Sequence, residues 1–259
     1  ANYDASIGYF DSPAIMLLAT FFMIISGISF GLHYYAWIKG SVTHYWHNSE
    51  SKMYLNMIIG ASIICCGYLY LSNTLPLKDS LLHGIFQLVS IMTSTGFATA
   101  NFSNWPTFLP VFLMVLSFFG ACAGSTGGGI KVGRMLILAK QSLREIYRLI
   151  HPNAVFPIKL RNRTVPERVA DSVWAFFGVY LAIFYFLVLL LQLTGLDYLT
   201  AWSCTAAALN NLGPGLGEAA AHYGEINSVA KWLLSAAMII GRLEIFTVLV
   251  LFTPMFWRR

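Results

Sequence analysis

Charged residues are scarce in this sequence: Asp, Glu, Lys and Arg make up 10% of its 259 residues. A soluble globular domain carries about 25%, so the composition does not fit a lone soluble domain. Intrinsic disorder is excluded as well, because it requires low hydrophobicity and high charge, whereas hydrophobic residues here reach 57%. The composition is that of an integral membrane protein.

Motifs of catalysis and cofactor binding are also missing. The sequence has no Ser-His-Asp array, no HExxH zinc motif, no GxGxxG fingerprint and no pair of acids at membrane depth. We therefore predict that the chain is not an enzyme and binds no nucleotide itself. The four cysteines lack metal-ligand spacing and lie in apolar stretches, as small buried hydrophobes do; they are Cys65, Cys66, Cys122 and Cys204.

Long apolar segments, in contrast, are abundant. About 20 apolar residues in a helix cross a hydrocarbon core, and four segments reach that length: Pro13–Ile38, Met53–Leu71, Val169–Leu193 and Ser228–Phe256. A fifth, Thr107–Cys122, is short and leads into glycine-rich sequence. Ser80–Met92 and Tyr198–Leu209 are too short to cross, and such lengths are typical of re-entrant or buried helices.

The distribution of charge orients these segments. The stretch from Lys131 to Arg168 and the C-terminus are basic, which predicts a cytoplasmic position for both. This anchoring is compatible with docking of a cytosolic partner, whereas no nucleic-acid-binding motif accompanies the net charge of +5. The basic residues are Lys131, Arg134, Lys140, Arg144, Arg148, Lys159, Arg161, Arg163, Arg168, Arg258 and Arg259, and the outer acids are Asp4, Asp11, Asp79, Asp197, Glu218 and Glu225.

Two units with the same order of segments follow one another. Each has an outward span, a short helix that cannot cross, a polar turn with glycine, and a span that returns. We predict a division into residues 1–52 (the last helix of a preceding unit and a cytoplasmic connection), 53–150, 151–167 (a basic connection) and 168–259. The turns are Thr93, Ser94, Thr95, Gly96 and Phe97 in the first unit, and Asn210, Asn211, Leu212, Gly213 and Pro214 in the second.

A non-helical turn at membrane depth suggests an ion pathway. Unpaired main-chain groups are costly in hydrocarbon and survive only where they are buried in protein or line a wet cavity. Main-chain carbonyls can replace the hydration shell of an ion, and the C-terminal ends of the short helices would favour a cation. The alternatives are an ordinary polar loop at Thr93–Phe97 and a simple β-turn at Asn210–Gly215.

The run from Ala121 to Lys131 interrupts the return span of the first unit. Each glycine in a helix interior costs about 1 kcal/mol relative to alanine, so this run is expected to leave the helical conformation and to form a movable gate. A GxxxG-type helix contact is the alternative, whereas the Walker phosphate-loop pattern fails because Ile130 separates Gly129 from Lys131. The gate residues are Gly124, Ser125, Thr126, Gly127, Gly128, Gly129 and Lys131.

Arg242 falls in the middle of the last apolar span. A charge at that depth is expensive and is by default a candidate for function. Glu244, two residues later, lies on a different helix face, which disfavours an ion pair between the two. We expect Arg242 to face the pathway as a barrier to cations or a latch on the glycine loop; the alternative is a purely structural buried arginine.

Several of these segments resemble the bacterial TrkH family, within the Trk/Ktr/HKT superfamily of potassium uptake proteins. They are Gly120–Lys131, Asn210–Gly217, Gly241–Phe246 and Thr253–Arg258. The resemblance implies an all-α membrane protein built from tandem membrane–pore–membrane repeats, with re-entrant pore helices and extended filter strands as in potassium channels. The present units would be the third and fourth of four repeats.

The same resemblance implies the roles of the turns and the loop. Thr93–Phe97 and Asn210–Pro214 would be two of four filter strands, with potassium held by the main-chain carbonyls of Thr95, Gly96, Leu212 and Gly213. The loop Gly124–Gly129 would be the gate that Arg242 faces. The implied partners are the lipid bilayer of the bacterial inner membrane, a second copy of the subunit in a homodimer, and a cytosolic TrkA-like regulator that binds NAD or ATP.

Two expectations concern the rest of the protein. The family chain is about twice as long, and the sequence starts at Ala1 with no signal peptide, so the upstream half of the subunit is expected to lie outside this sequence. A secondary cation transporter with a broken-helix binding site is the alternative function. The common orientation of the two units counts against the inverted repeats of that class.

Overall fold

The structure is a computed structural model that describes residues 6–160, 163–220 and 222–258, with the main chain alone for Arg163. Three of the charges used above to orient the chain, those of Asp4, Arg161 and Arg259, lie outside the described residues. The described residues are mostly helical.

Among the described residues, two helices are long and apolar enough to cross a membrane without a break: α4 (Ser49–Leu71) and α8 (Glu167–Leu193). Asn48 caps the start of α4, because its side-chain oxygen accepts the main-chain N–H groups of Glu50 and Ser51. Each long helix opens one of the two units that the sequence predicts.

The other two predicted spans are broken, which corrects the continuous spans drawn at Pro13–Ile38 and Ser228–Phe256. The first consists of α1 (Pro13–Ser26) and α2 (Phe30–Lys39), bent by 92°. The second consists of α10 (Ser228–Arg242) and α11 (Ile245–Leu251), bent by 107°. Ser29 has non-helical torsions (φ −55°, ψ 128°), and Glu244 has a positive φ of 63°, so non-helical main-chain torsions accompany both breaks.

The two short helices run through the interior. They are α5 (Leu77–Met92) and α9 (Tyr198–Leu209). Every residue from Phe86 to Met92 is buried, as is every residue from Ser203 to Leu209. Helix α5 packs on α4, α1 and α6 (Phe108–Phe119), and α9 packs on α8 and α10. Both C-terminal ends therefore lie inside the protein, as expected for re-entrant helices.

The remaining elements connect these helices. They are α3 (Thr43–His47), α7 (Val132–Ile150), the strands β1 (Lys159–Leu160) and β2 (Arg163–Thr164), α12 (Pro254–Trp257), and short 3-10 helices at Ser6–Phe10, Phe102–Asn104 and Gly217–Ala219. The two strands pair antiparallel. Buried Arg144 in α7 lies within 3.6 Å of Glu145 and 3.5 Å of Glu167, which fixes α7 against the start of α8.

Candidate functional site

The first turn reverses the chain directly after α5. The N–H of Thr93 donates to the carbonyl of Val89, that of Ser94 to Ile91 and that of Thr95 to Ser90. Ser94 then takes a φ of 55° and Gly96 a φ of 77°. The chain therefore leaves the helix through two left-handed positions, the second of which favours glycine because it has no Cβ.

The second turn repeats these three bonds after α9. The N–H of Asn210 donates to Ala206, that of Asn211 to Ala208 and that of Leu212 to Ala207. Asn211 takes a φ of 53° and Gly213 a φ of 106°. The two turns share one main-chain conformation at matching places in their units, which disfavours two unrelated surface loops.

The two turns also touch each other. A Cβ placed on Gly96 would lie 2.2 Å from the carbonyl oxygen of Leu212 and 3.4 Å from Pro214. Gly213, in contrast, has nothing within 4 Å of its own Cβ position. The contact is therefore one-sided: Gly96 of the first turn lies against the main chain of the second.

Side chains that the sequence analysis missed hold the second turn. Asn210 is fully buried, and the hydroxyl of Tyr180 donates to its Oδ1 at 2.7 Å. The Nδ2 of Asn210 donates to Ser117 Oγ at 2.8 Å. Because an unpaired buried amide is costly, these bonds fix the turn to α8 on one side and to α6 on the other. In sequence, Tyr180 and Ser117 look like ordinary members of apolar spans.

Hydroxyl groups also contact the carbonyls of the turns. Ser90 donates to the carbonyl of Phe97 at 2.6 Å, and Tyr223 donates to the carbonyl of Gly213. A carbonyl oxygen has two lone pairs, so a second partner can still bind each oxygen. No group of three or more His, Cys, Asp or Glu side chains within the described ranges could hold a metal ion.

The acidic cap of α9 gives a testable pH dependence. The hydroxyl of Thr200, followed by the main-chain N–H groups of Thr200 and Leu199, lowers the pKa of the Asp197 carboxyl against an opposing effect of burial. A lowered folded pKa stabilises the fold at neutral pH, and this contribution is lost as pH falls from the unfolded value of about 3.9 through the folded pKa.

We expect Asp197→Ala to lower the free energy of unfolding by about 1 kcal/mol, since an N-cap is lost. Asp197→Asn is the matched control, because asparagine also caps helices but does not titrate. In thermal unfolding of the full-length protein in detergent, the Asn variant should lose less stability than the parent on acidification from pH 5 to about pH 3. Equal acid sensitivity of the parent and the Asn variant would contradict the assignment.

The glycine-rich loop is an excursion from the return span of the first unit. Helix α6 ends at Phe119 and α7 begins at Val132. The two ends of the loop are bonded to each other, since the N–H of Ile130 donates to Phe118 at 3.0 Å and that of Val132 to Ala121 at 3.2 Å. The loop therefore closes on itself at its base, and the predicted break in the helix is present.

The loop also pairs with the break between α1 and α2. The N–H of Cys122 donates to the carbonyl of Gly27 at 2.9 Å, and the N–H of Phe30 donates to that of Gly124 at 3.0 Å. Thr126 Oγ1 donates to the carbonyl of Ser26 at 3.5 Å. The loop is thus held by the break between α1 and α2.

The middle of the loop lies directly against both turns. A Cβ on Gly128 would meet the carbonyl oxygen of Asn210 at 2.0 Å, and one on Gly127 would meet that of Thr93 at 3.1 Å. Only residues without a side chain can approach this closely. The structure therefore brings together the two turns and the loop, which the sequence analysis had identified separately.

Arg242 differs from its predicted setting. It is the last residue of α10, at the break of the span, and it is exposed rather than buried in the middle of a helix. Its Nη1 donates to the carbonyl of Thr126 at 3.3 Å. Glu244 forms an ion pair with Arg134 at 2.8 Å and not with Arg242, as expected from the sequence.

Lys131 also contacts the loop, since its Nζ donates to the carbonyl of Gly127. Two cationic side chains, those of Lys131 and Arg242, therefore contact the loop.

Comparison with known proteins decides the family. A sequence profile of the TrkH family, described as cation transport protein, matches residues 2–259. The chain belongs to the TrkH family. The TrkH family resemblance noted from the loop and turn motifs is thereby confirmed, as is the prediction that the chain is not an enzyme, since the relatives are named as potassium uptake proteins.

Three TrkH relatives illustrate the similarity. The Trk system potassium uptake protein TrkH of Halomonas elongata is 49% identical, over 100% of this chain and 54% of that protein. The protein of the same name from Escherichia coli K12 is 47% identical, over 100% of this chain and 54% of that protein. The crystal structure of the potassium transporter TrkH from Vibrio parahaemolyticus matches with a TM-score of 0.94 at 47% identity, over 100% of this chain and 56% of that one.

The chain therefore spans about half the length of the TrkH relatives it matches. The match to a TrkH crystal structure confirms the predicted fold class, a helical membrane protein with tandem repeats and re-entrant helices. The TrkH family is one of multi-pass inner-membrane proteins.

Proposed function

We propose that this chain supplies two of the four repeats of a potassium-conducting pore across the bacterial inner membrane. The observation that carries the proposal is the pair of turns with identical main-chain bonding, in contact with each other at the ends of two buried helices. In this proposal residues 53–150 and 168–259 are the third and fourth repeats, residues 1–52 end the second, and residues 151–167 are a cytoplasmic connection. The upstream half of the same subunit completes the ring.

In the proposed filter, potassium is held by the carbonyls of Thr95, Gly96, Leu212 and Gly213. Carbonyl oxygens can replace the hydration shell of a cation, and the negative ends of α5 and α9 point toward both turns. The filter strands are Thr93–Phe97 and Asn210–Pro214. The hydroxyls of Ser90 and Tyr223 would hold the carbonyls of Phe97 and Gly213 in place.

In the proposed gate, the loop Gly124–Gly129 closes the inner mouth of the filter. Support comes from the close approach of Gly127 and Gly128 to the carbonyls of the two turns. Lys131 and Arg242 bind carbonyls of the loop and would place positive charge beside the pathway, which opposes cation passage. Opening then requires that the loop leave the turns.

The proposed partners are a second subunit in a homodimer and a cytosolic TrkA-like regulator that binds NAD or ATP. Membership of the TrkH family is the basis for proposing both partners. Lys159 in the basic connection and Arg168 at the start of α8 are exposed, where a cytosolic protein could reach them. This chain itself would bind no nucleotide.

The proposed function is tested with the full-length subunit that contains this chain. Reconstituted in liposomes, it should take up potassium down its gradient without any coupled ion. Uptake that strictly requires a sodium or proton gradient would instead indicate a secondary transporter. Absence of potassium flux with and without the regulator would overturn the proposal.

Arg242→Ala in that subunit should raise cation flux in the absence of regulator by about three- to tenfold. A hydrogen bond from a charged donor contributes about 1.5–3 kcal/mol, and less at an exposed position. Arg242→Lys, which keeps the charge, should give a smaller rise, and Arg258→Ala is the control for loss of an exposed arginine. A lower yield with unchanged flux per folded molecule would assign Arg242 a structural role only.

A further inference from the structure

Glu50 reaches from the first turn of α4 to both sides of the glycine-rich loop. Its Oε1 accepts the main-chain N–H of Ala123 at 2.6 Å and that of Gly133 at 3.1 Å. Ala123 directly precedes the loop Gly124–Gly129, and Gly133 is the second residue of α7. One carboxylate oxygen therefore joins the start of the loop to the start of the helix that follows it.

The surroundings of Glu50 are built for this contact. A Cβ on Gly133 would lie 2.8 Å from Oε1 and 3.1 Å from Cδ of Glu50, so a side chain at residue 133 would push the carboxylate out of its present position. The first N–H groups of a helix have no partner within the helix, and α7 has no side-chain cap of its own. Glu50 supplies that cap from another helix, where the positive end of the helix dipole attracts its charge.

The position of Glu50 is itself fixed. Asn48 Oδ1 accepts the N–H of Glu50 at 2.9 Å and that of Ser51 at 3.2 Å. The carboxylate thus projects from the anchored end of a long membrane helix. In contrast, α7 continues into the basic cytoplasmic connection and is joined to the last span by the pair Arg134–Glu244.

We infer that Glu50 is a positioning residue that clamps the start of the loop to the start of α7 and so holds the loop against the two turns. This inference rests on the proposed gate function of the loop. The path is short, because Gly127 and Gly128, which meet the turns, lie four and five residues beyond Ala123. Loss of the clamp frees the loop to leave the turns.

Flux of rubidium through the full-length subunit in liposomes, without regulator, tests the clamp. Glu50→Ala should raise flux roughly tenfold, because two hydrogen bonds to a charged acceptor are lost. Glu50→Gln keeps the acceptor atom and should restore most of the closed state. Gln is almost the same size as Glu, so this variant remains informative if the Ala variant fails to fold.

Two further variants separate the clamp from a general effect on α4. Asn48→Ala removes the cap of α4 but leaves both bonds of the carboxylate possible, and it should raise flux much less than Glu50→Ala does. Gly133→Ala crowds the carboxylate while Glu50 remains, and it should raise flux by no more than Glu50→Ala does. The double variant Glu50→Ala with Gly133→Ala should show no more flux than the larger single effect, since both remove one interaction.

The outcomes distinguish this clamp from the gate on which it rests. If deletion of Gly124–Gly129 raises flux but Glu50→Ala does not, the clamp is overturned and the gate stands. If neither change alters flux, the gate and the clamp both fall. An equal rise for Asn48→Ala and Glu50→Ala would assign the effect to loss of helix stability and would also overturn the clamp.

Discussion

Replacement of Gly96 by serine in the full-length subunit is expected to reduce discrimination of potassium from sodium by roughly tenfold, the equivalent of about 1.4 kcal/mol. At a φ of 77°, an L side chain is strained. Its Cβ would also lie 2.2 Å from the carbonyl oxygen of Leu212. Because that obstacle is main chain, the two turns must separate, which widens the space that a dehydrated ion would fill. Reversal potentials in mixed potassium and sodium measure the change.

The structure provides two matched comparisons for this result. Gly213→Ser introduces strain at a φ of 106° but meets nothing within 4 Å, so its effect should be smaller than that of Gly96→Ser. Gly178→Ser, in an exposed part of α8 with nothing within 4 Å, should leave selectivity unchanged. Unchanged reversal potentials for both turn variants would count against the filter assignment.

Deletion of residues 124–129 is expected to raise flux without regulator by roughly a hundredfold. The deletion removes several hydrogen bonds of the loop, and each contributes about 0.5–1.5 kcal/mol. Their partners outside the deleted segment include Ser26, Phe30, Lys131 and Arg242. The main chain can rejoin, because Ala121 and Val132 at the base already share a 3.2 Å hydrogen bond. Flux per folded molecule in liposomes is the measurement.

A deletion elsewhere controls for the shortening of the chain. Residues 152–155 lie exposed in the connection after α7, and their removal should leave regulator-free flux at its basal value. A loop deletion that folds with normal yield and conducts no faster than the parent would remove the gate from the proposal.

Much of the fold could be predicted from hydropathy and length. The spans Met53–Leu71 and Val169–Leu193 and the short helix Tyr198–Leu209 lie within a few residues of their predicted bounds. The sharp breaks after Ser26 and Arg242 were not predicted, because each bent pair of helices still has the mean hydropathy of a single span. A break that depends on main-chain torsions and on bonds to distant residues leaves no periodicity in the sequence.

The candidate site was also predicted only in part from the sequence. Glycine and small polar residues at unusual depth marked the two turns and the loop, and these signals are local. No such signal marked three other residues that hold the site. Glu50 is an acid at a helix start, whereas Tyr180 and Ser117 are single polar residues in apolar spans. Their hydrogen bonds join residues that are far apart in sequence, and only the tertiary structure reveals them. The separations are 73 residues for Glu50 and Ala123, 30 for Tyr180 and Asn210, and 93 for Ser117 and Asn210.

The two turns keep one set of main-chain bonds and torsions although only their glycine is the same residue. The bonds shared by the two turns join main-chain atoms, whereas side chains such as Asn210 attach a turn to its neighbouring helices. The likeness of the two turns therefore lies in main-chain geometry more than in residue type. Comparisons between repeats of such proteins are therefore better made by torsion angle than by residue identity.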